Sequence, residues 1–158
     1  MRNLFILVLA GLCFAACNKE VDLLPEDQLK ADIEKIENYL QDNNLLSKAQ
    51  EHPSGIYYYI DSVGPGANPL ISDEVSVRYK GYLLNGTVFD QTQGNDSISF
   101  KLQNLIEGWR IAIPLLKEGG HGTFLLPSYL GYGNFPPRNS VIGRNEVLIF
   151  DIELVDIK

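Results

Sequence analysis

The stretch 148-LIFDIEL-154, close to the end of the chain, decides the fold class. Its residues Leu148, Phe150, Ile152 and Leu154 are apolar and occupy alternate positions, which places them on one face of a β-strand. A strand with this alternation packs its apolar face on a core. The residues before it must therefore supply neighbouring strands and a layer that covers this face.

The chain before this strand holds further strand patterns and one helical pattern. Alternating apolar residues predict strands at 56–60, 75–79, 100–102 and 123–126. The pair Asn85-Gly86, between apolar residues, predicts a tight hairpin turn. Residues 105–117 predict a short helix that Pro114 disturbs. We therefore predict an α+β domain, in which antiparallel strands surround one short helix.

Length and composition favour one domain with additional segments. The 158 residues are 45% apolar and 21% charged, which is enough to bury a core. Thirteen basic and twenty acidic residues give a net charge of −7, which argues against a nucleic-acid binder. Two cysteines and two histidines are too few for the usual zinc cage, so we predict no metal site. His52 and His121 are predicted to be solvated loop residues.

The first residues have the layout of a bacterial export signal. A basic start, 1-MRN-3, precedes residues 4–16, which contain no charge. The run 14-FAAC-17 resembles the lipobox of bacterial lipoproteins. We predict a lipoprotein signal peptide over residues 1–16 and lipidation of Cys17; an ordinary signal peptide with a chance cysteine is the alternative. Because the chain is acidic, acyl chains would be its only attachment to a membrane.

Three segments are predicted after the signal: a tether at 17–25, an N-terminal helical segment at 26–52 and the main domain at 53–158. The helix is expected to extend to about Leu46. Its apolar residues lie on one stripe: Leu29, Ile33, Ile36 and Leu40. This stripe either docks on the body of its own chain or pairs with the same helix of a second chain, which would form a homodimer.

Several motifs of the main domain occur in a fixed order. They are 75-VSVRYKGYL-83, 85-NGTVFD-90, 100-FKL-102, 105-LIEGW-109, 126-LP-127 with 130-LGYG-133, and 148-LIFDIEL-154. Together they resemble the FKBP family, the macrolide-binding peptidyl-prolyl cis/trans isomerases, over residues 56–158. With the N-terminal helix and the lipobox, the layout is similar to that of secreted Bacteroidetes lipoproteins of this family. The resemblance implies a curved antiparallel sheet wrapped around one short helix, with the ligand pocket between them.

The resemblance also implies the site residues. Trp109 would form the floor of the pocket, and Ile106 would offer its backbone N–H to the substrate. The residues implied for catalysis are Tyr79, Phe89, Asp90, Trp109, Tyr132 and Phe150. The residues implied for substrate binding are Ile98, Leu105, Ile106 and Leu148. For Phe89 and Phe150, which occupy core-facing strand positions, a purely structural role is the alternative.

The chemistry of the implied reaction suits these residue types. The X-Pro amide rotates slowly because resonance gives a barrier of roughly 18–20 kcal/mol. The twisted amide is less dipolar than the planar one, so a dry aromatic pocket favours it without a nucleophile, metal or cofactor.

The resemblance implies an isomerase of exported proteins in the cell envelope, lipid-anchored at the outer membrane on its periplasmic or surface face. Its partners would be proline-containing polypeptides and macrolide inhibitors. A binding module with little turnover is one alternative. It is favoured by Ile98, which stands where many family members carry an aromatic pocket residue, and by the loop at 134–145, which departs from the family pattern. A chaperone, dimeric through the N-terminal helix, is another.

Overall fold

The structure is a computed structural model that describes residues 25–158. The predictions on residues 1–24, which include the signal peptide, the lipidation of Cys17 and most of the tether, lie outside the described residues. The elements are helix α1 (Pro25–Asp42), strands β1 (Gln50–Glu51), β2 (Tyr57–Ser62), β3 (Glu74–Leu83), β4 (Val88–Gln91) and β5 (Ile98–Lys101), helix α2 (Glu107–Ala112), and strands β6 (His121–Leu126) and β7 (Leu148–Ile157).

The seven strands form one antiparallel sheet, as predicted. Its order is β1-β2-β6-β7-β3-β4, and β5 pairs with β3 as well. The long strand β3 divides its free edge between two short partners, β5 along its first half and β4 along its second half. The hairpin between β3 and β4 is confirmed, because Gly86 turns the chain with φ +84°.

Alternation along the strands gives the sheet two apolar faces. We call the face that carries Phe124 and Phe150 the inner face, and the opposite face, with Leu125 and Ile149, the outer face. Register aligns these side chains across the strands, since Phe124 lies opposite Phe150 and Leu125 opposite Ile149. Each face therefore requires its own covering layer.

Helix α2 covers the inner face and is shorter than predicted. Leu105 and Ile106 are extended (ψ 168° and 151°), so the helix begins only at Glu107. After Ala112 the chain tightens into a 3-10 turn that contains Pro114. Proline has no N–H for an α-helical hydrogen bond, which explains why the helix ends before it.

Helix α1 covers the outer face. Ile36 and Leu40 are fully buried and pack in one cluster with Leu125 and Ile149. Burial of a side chain of this size contributes about 1.5–3 kcal/mol to the free energy of unfolding. The apolar stripe therefore docks on its own chain, the first of the two predicted alternatives. No helix within residues 25–158 combines the length and apolar character needed to cross a membrane.

The end of α1 differs from the prediction by a few residues. Asn44 adopts a left-handed conformation (φ +58°). The N–H of Leu45 then donates to the carbonyl of Leu40, and the N–H of Asn44 donates to that of Gln41. This arrangement is a Schellman motif, which satisfies the last carbonyls of the helix. The helix consequently ends at Asp42 rather than near Leu46.

A buried carboxylate ties α1 to the loop that follows β6. Asp32 is fully buried, and its Oδ2 accepts a hydrogen bond of 2.9 Å from the backbone N–H of Ser128. Its Oδ1 accepts from Gln28 Nε2 at 2.8 Å and lies 3.5 Å from Lys35 Nζ. Both oxygens therefore have donors, as a buried carboxylate requires.

We expect Asp32→Ala to lower the free energy of unfolding by about 2 kcal/mol, because the N–H of Ser128 would stay buried without an acceptor. Urea denaturation measures this difference. Glu34→Ala, at an exposed position of the same helix, is the control and should change stability by less than about 0.5 kcal/mol. Equal effects of the two variants would contradict the assigned role of Asp32.

Candidate active site

A cavity of about 350 Å³ lies between the inner face of the sheet and α2. This volume falls within the usual range for small-ligand sites. The cavity lies where strands, helix α2 and the loop after β6 meet. Its lining residues are Tyr79, Phe89, Asp90, Phe100, Leu105, Ile106, Trp109, Tyr132, Pro137, Ser140, Ile142 and Phe150.

Trp109 lies at the centre of an aromatic cluster beside the cavity. Its ring meets those of Tyr79, Phe150 and Phe100 edge to face, at centroid distances of 5.0, 5.2 and 6.1 Å. Edge-to-face pairs place the positive edge of one ring against the negative face of another. Trp109 is only 4% exposed, and its Nε1 has no hydrogen-bond partner in the described residues. Packing, therefore, holds this ring in place.

Two phenol groups and one carboxylate supply polar atoms to the cavity. Tyr79 donates a hydrogen bond of 2.6 Å to Asp90 Oδ2. Burial raises the pKa of Tyr79 well above its ordinary value, and the hydrogen bond to Asp90 adds to this effect. Burial, together with the charge of Asp90, also raises the pKa of Tyr132. Both hydroxyls therefore stay protonated at neutral pH and remain donors.

The backbone before α2 has an unpaired donor at a residue that lines the cavity. Leu105 and Ile106 line the cavity from the extended segment that leads into the helix. Ile106 caps the helix through its carbonyl, which accepts from the N–H groups of Trp109 and Arg110. Among residues 25–158 no acceptor takes the N–H of Ile106. This N–H is therefore available to a ligand carbonyl.

Gly81 allows two aromatic walls to approach the sheet closely. It is buried on β3, opposite Phe150 of β7 and Asp90 of β4. A Cβ at this position would lie 2.5 Å from Phe89 Cε2 and 2.9 Å from Phe150 Cε1. Since Cβ atoms do not approach other atoms so closely, any larger residue would displace both rings. Nothing in the sequence around Gly81 indicated this requirement.

Two predicted substrate-binding residues do not line the cavity. Ile98 begins β5, two residues before Phe100, where it pairs with Val77 and is 42% exposed. Leu148 is fully buried and packs against Gly131; a Cβ added to Gly131 would lie 2.7 Å from Leu148 Cδ1. Both side chains therefore lie outside the lining of this cavity, and their role in substrate binding stays a prediction. The other eight predicted site residues all line the cavity.

Four further residues line the cavity that were not predicted from the sequence: Phe100, Pro137, Ser140 and Ile142. Phe100 lies opposite Val75, so the strand alternation contained a signal for it. The other three belong to the loop between β6 and β7, which has no regular period from which contacts could be inferred.

One group of possible metal ligands occurs among residues 25–158, and it lies outside the cavity. It consists of Asp61, His121 and Asp151. His121 Nε2 is 2.6 Å from Asp151 Oδ1, its Nδ1 is 3.3 Å from Asp61 Oδ2, and Lys48 also pairs with Asp61 at 2.6 Å. The ring nitrogens of His121 and the carboxylate oxygens that a metal ion would need are therefore already paired with one another or with Lys48. The predicted loop placement of His121 was wrong, because His121 begins β6, where its partly exposed side chain lies between two carboxylates.

An open antiparallel sheet that holds an aromatic cavity against one short helix defines the class of FKBP-like folds. The fold is similar to the crystal structure of FkpA from Escherichia coli, with a TM-score of 0.71 and 31% identity over 84% of this chain and 62% of that one. The family model for the FKBP-type peptidyl-prolyl cis-trans isomerase matches residues 66–155. Because this match covers more than half of the chain, the protein belongs to that family.

Relatives of known sequence agree with this assignment. The chain is 40% identical over 129 residues to "Probable FKBP-type peptidyl-prolyl cis-trans isomerase FkpA" from Neisseria meningitidis, which covers 81% of this chain and 47% of the relative. It is 41% identical over 109 residues to "Outer membrane protein MIP" from Legionella longbeachae, covering 67% of this chain and 46% of that protein. The chain thus spans about half the length of these relatives.

We expect Gly81→Ala to weaken binding of a prolyl peptide about tenfold or more, because the added methyl displaces Phe89 and Phe150 towards the cavity. Trp109 is the sole tryptophan of the chain, so its fluorescence during a peptide titration reports this affinity. Lys80→Ala, at the exposed neighbouring position, is the control and should bind as the parent protein does. Unchanged affinity in a folded Gly81→Ala variant would contradict the steric argument.

Proposed function

We propose that this protein is a peptidyl-prolyl cis/trans isomerase that acts on exported proteins. The observation that carries the proposal is the cavity itself, in which aromatic rings surround buried Trp109 and donors lie at the margin. Its residue types match the chemistry of amide rotation, and the family to which the chain belongs is defined by that activity.

In the proposed mechanism the proline ring of the substrate lies on Trp109, between Tyr79, Phe89 and Phe150. These walls exclude water, which would stabilise the planar, more dipolar amide. The unpaired N–H of Ile106 and the hydroxyl of Tyr132 donate to substrate carbonyls and hold the chain on both sides of the rotating bond. These donors orient the substrate while the X-Pro bond twists, so the transition state is bound better than the ground state.

Asp90 has a positioning role in this proposal. Its hydrogen bond from Tyr79 fixes the orientation of that ring at the wall of the cavity. Leu105 lines the helix side with Ile106, whereas Phe100 and Ile142 extend the apolar wall. Macrolides, which would bind through the same wall, are proposed as competitive inhibitors.

We test the activity with a short X-Pro peptide and purified protein. Isomerisation should exceed the uncatalysed rate, and Tyr132→Phe should lower kcat/KM about threefold to tenfold, the loss expected for one hydrogen bond. Trp109→Ala should lower it further, and Trp109→Phe serves if the alanine variant does not fold. Tyr59→Phe, on β2 and away from the cavity, is the matched control and should leave the rate unchanged.

Circular dichroism and urea denaturation establish that each variant is folded. A background rate in folded parent protein, for every residue tested before proline, would overturn the isomerase proposal. A catalysed rate that is insensitive to both Trp109→Phe and Tyr132→Phe would instead overturn the assignment of the site residues.

We also propose that the protein is a lipoprotein of the cell envelope. The support is the sequence of residues 1–16 with Cys17, and the name of the outer membrane relative from Legionella longbeachae. Residues 17–25 would then be the tether between the lipid and helix α1, residues 26–52 the N-terminal helical segment, and residues 53–158 the isomerase domain. In this arrangement the enzyme contacts exported chains while they fold, when slow proline isomerisation limits their folding rate.

Cys17→Ser should abolish incorporation of radiolabelled palmitate into the protein expressed in a bacterial host, because the acceptor thiol is lost. After membrane fractionation, the variant should either appear in the soluble fraction or retain its signal peptide. Cys13→Ser is the matched control and should be labelled like the parent chain. Equal labelling of both variants would contradict lipidation at Cys17.

A further inference from the structure

A second depression lies next to the catalytic cavity and is larger, with a volume of about 690 Å³. It is bounded by the first two turns of α1 and by the loop after β6, and we call it the N-terminal groove. Its lining residues are Pro25, Glu26, Gln28, Leu29, Asp32, Ser128, Tyr129, Gly131, Tyr132, Gly133, Asn134, Phe135 and Asn145.

The groove and the catalytic cavity share one lining side chain. Tyr132 borders both, so the two depressions are neighbours on the surface of the protein. Since an extended chain advances only about 3.3 Å per residue, a substrate must span several residues to contact both.

Large apolar side chains stand open at the groove. Phe135 is 89% exposed and Tyr129 is 52% exposed, although both lie in a segment that packs against the protein on its other side. Leu29 of α1 also lines the groove. Exposed aromatic residues at a concave surface are typical of a contact site for another apolar group.

The walls of the groove are fixed before any ligand binds. Asp32 of α1 accepts the hydrogen bond from the N–H of Ser128, and the hydroxyl of Tyr129 donates to the carbonyl of Ser54 at 2.6 Å. Gly133 donates to the carbonyl of Ser128, which closes the turn that carries Tyr132. Little conformational entropy is lost when such a preformed surface binds.

We propose that the N-terminal groove is an extended subsite for the client polypeptide, which accepts a large apolar or aromatic side chain a few residues from the isomerised proline. This inference rests on the proposed isomerase function, because the same chain must place its proline in the cavity. The groove would select unfolded segments, in which prolines and apolar side chains are accessible together.

The test compares two substrates on the purified protein. One is a short X-Pro tetrapeptide that fits the catalytic cavity alone. The other is a set of longer peptides with the same X-Pro core and one Phe, placed three to seven residues before or after the proline. At the best position, kcat/KM of the long peptide should exceed that of the same peptide with Ser in place of Phe by about fivefold.

Two variants remove or fill the groove. Phe135→Ala deletes an exposed wall, and Glu26→Trp places a bulky ring at the rim. Each should bring the ratio of kcat/KM between the Phe and Ser peptides close to one. The matched controls are Val141→Ala, an exposed apolar residue of the same loop, and Asp27→Trp, at the next exposed position of α1. Neither lines the groove, so neither should change this ratio.

Fluorescence anisotropy of labelled Phe peptide measures groove binding independently of turnover. If no X-Pro peptide is isomerised, the proposed function fails, whereas a weaker Kd in Phe135→Ala would still establish the groove as a peptide site. A ratio near one in the parent protein, or an equal ratio in all four variants, overturns the proposal. Self-association that Phe135→Ala abolishes, without any change in the ratio, also overturns it and makes a second copy the occupant.

Discussion

The packing of Trp109 on the inner face of the sheet is the interaction on which the remaining structure depends. Helix α2 has only six residues, and an isolated helix of that length does not form in water. Trp109 holds it by contacting Tyr79 of β3, Phe100 of β5 and Phe150 of β7. The cavity is the space that these rings leave beside the helix, so folding of the core and formation of the site are the same event.

Strand β7 connects this site with the N-terminal helix. Phe150 points to the cavity, and its neighbour Ile149 points to the cluster beneath α1. A shift of one residue in the pairing would exchange the two faces and bury the wrong set. Apolar packing on the outer face therefore restricts the register that places Phe150 at the site. The residues of the outer-face cluster thus support the geometry of a cavity that they do not line.

Much of this fold could be predicted from the sequence because its strands alternate regularly. The alternation of Leu148 and Phe150 located β7, and the Asn85-Gly86 pair located the hairpin. The resemblance to the family then supplied most of the cavity residues. It also named Ile98, which the structure places at the start of β5, outside the lining of the cavity.

Other features depend on contacts between distant residues and left no local signal. Gly81 is required because Phe89 and Phe150 meet above it, and three separate strands contribute to that contact. His121 lies between Asp61 and Asp151, which come from two other strands, so a single sequence presents it as an isolated histidine. Loop residues such as Ile142 reach the cavity only after the loop has closed over it.

The hydrogen bond between Asp32 and Ser128 gives the N-terminal helix a role near the site as well as on the outer face. The family model begins at residue 66, so α1 lies outside the part that defines the family. The alignment with FkpA of Neisseria meningitidis spans 129 residues, which is longer than the segment 66–155 matched by the family model. This relative therefore shares sequence with the chain outside that segment. In the present chain, the start of α1 meets the segment that carries Tyr132. An element outside the family domain therefore shapes the surface next to the cavity.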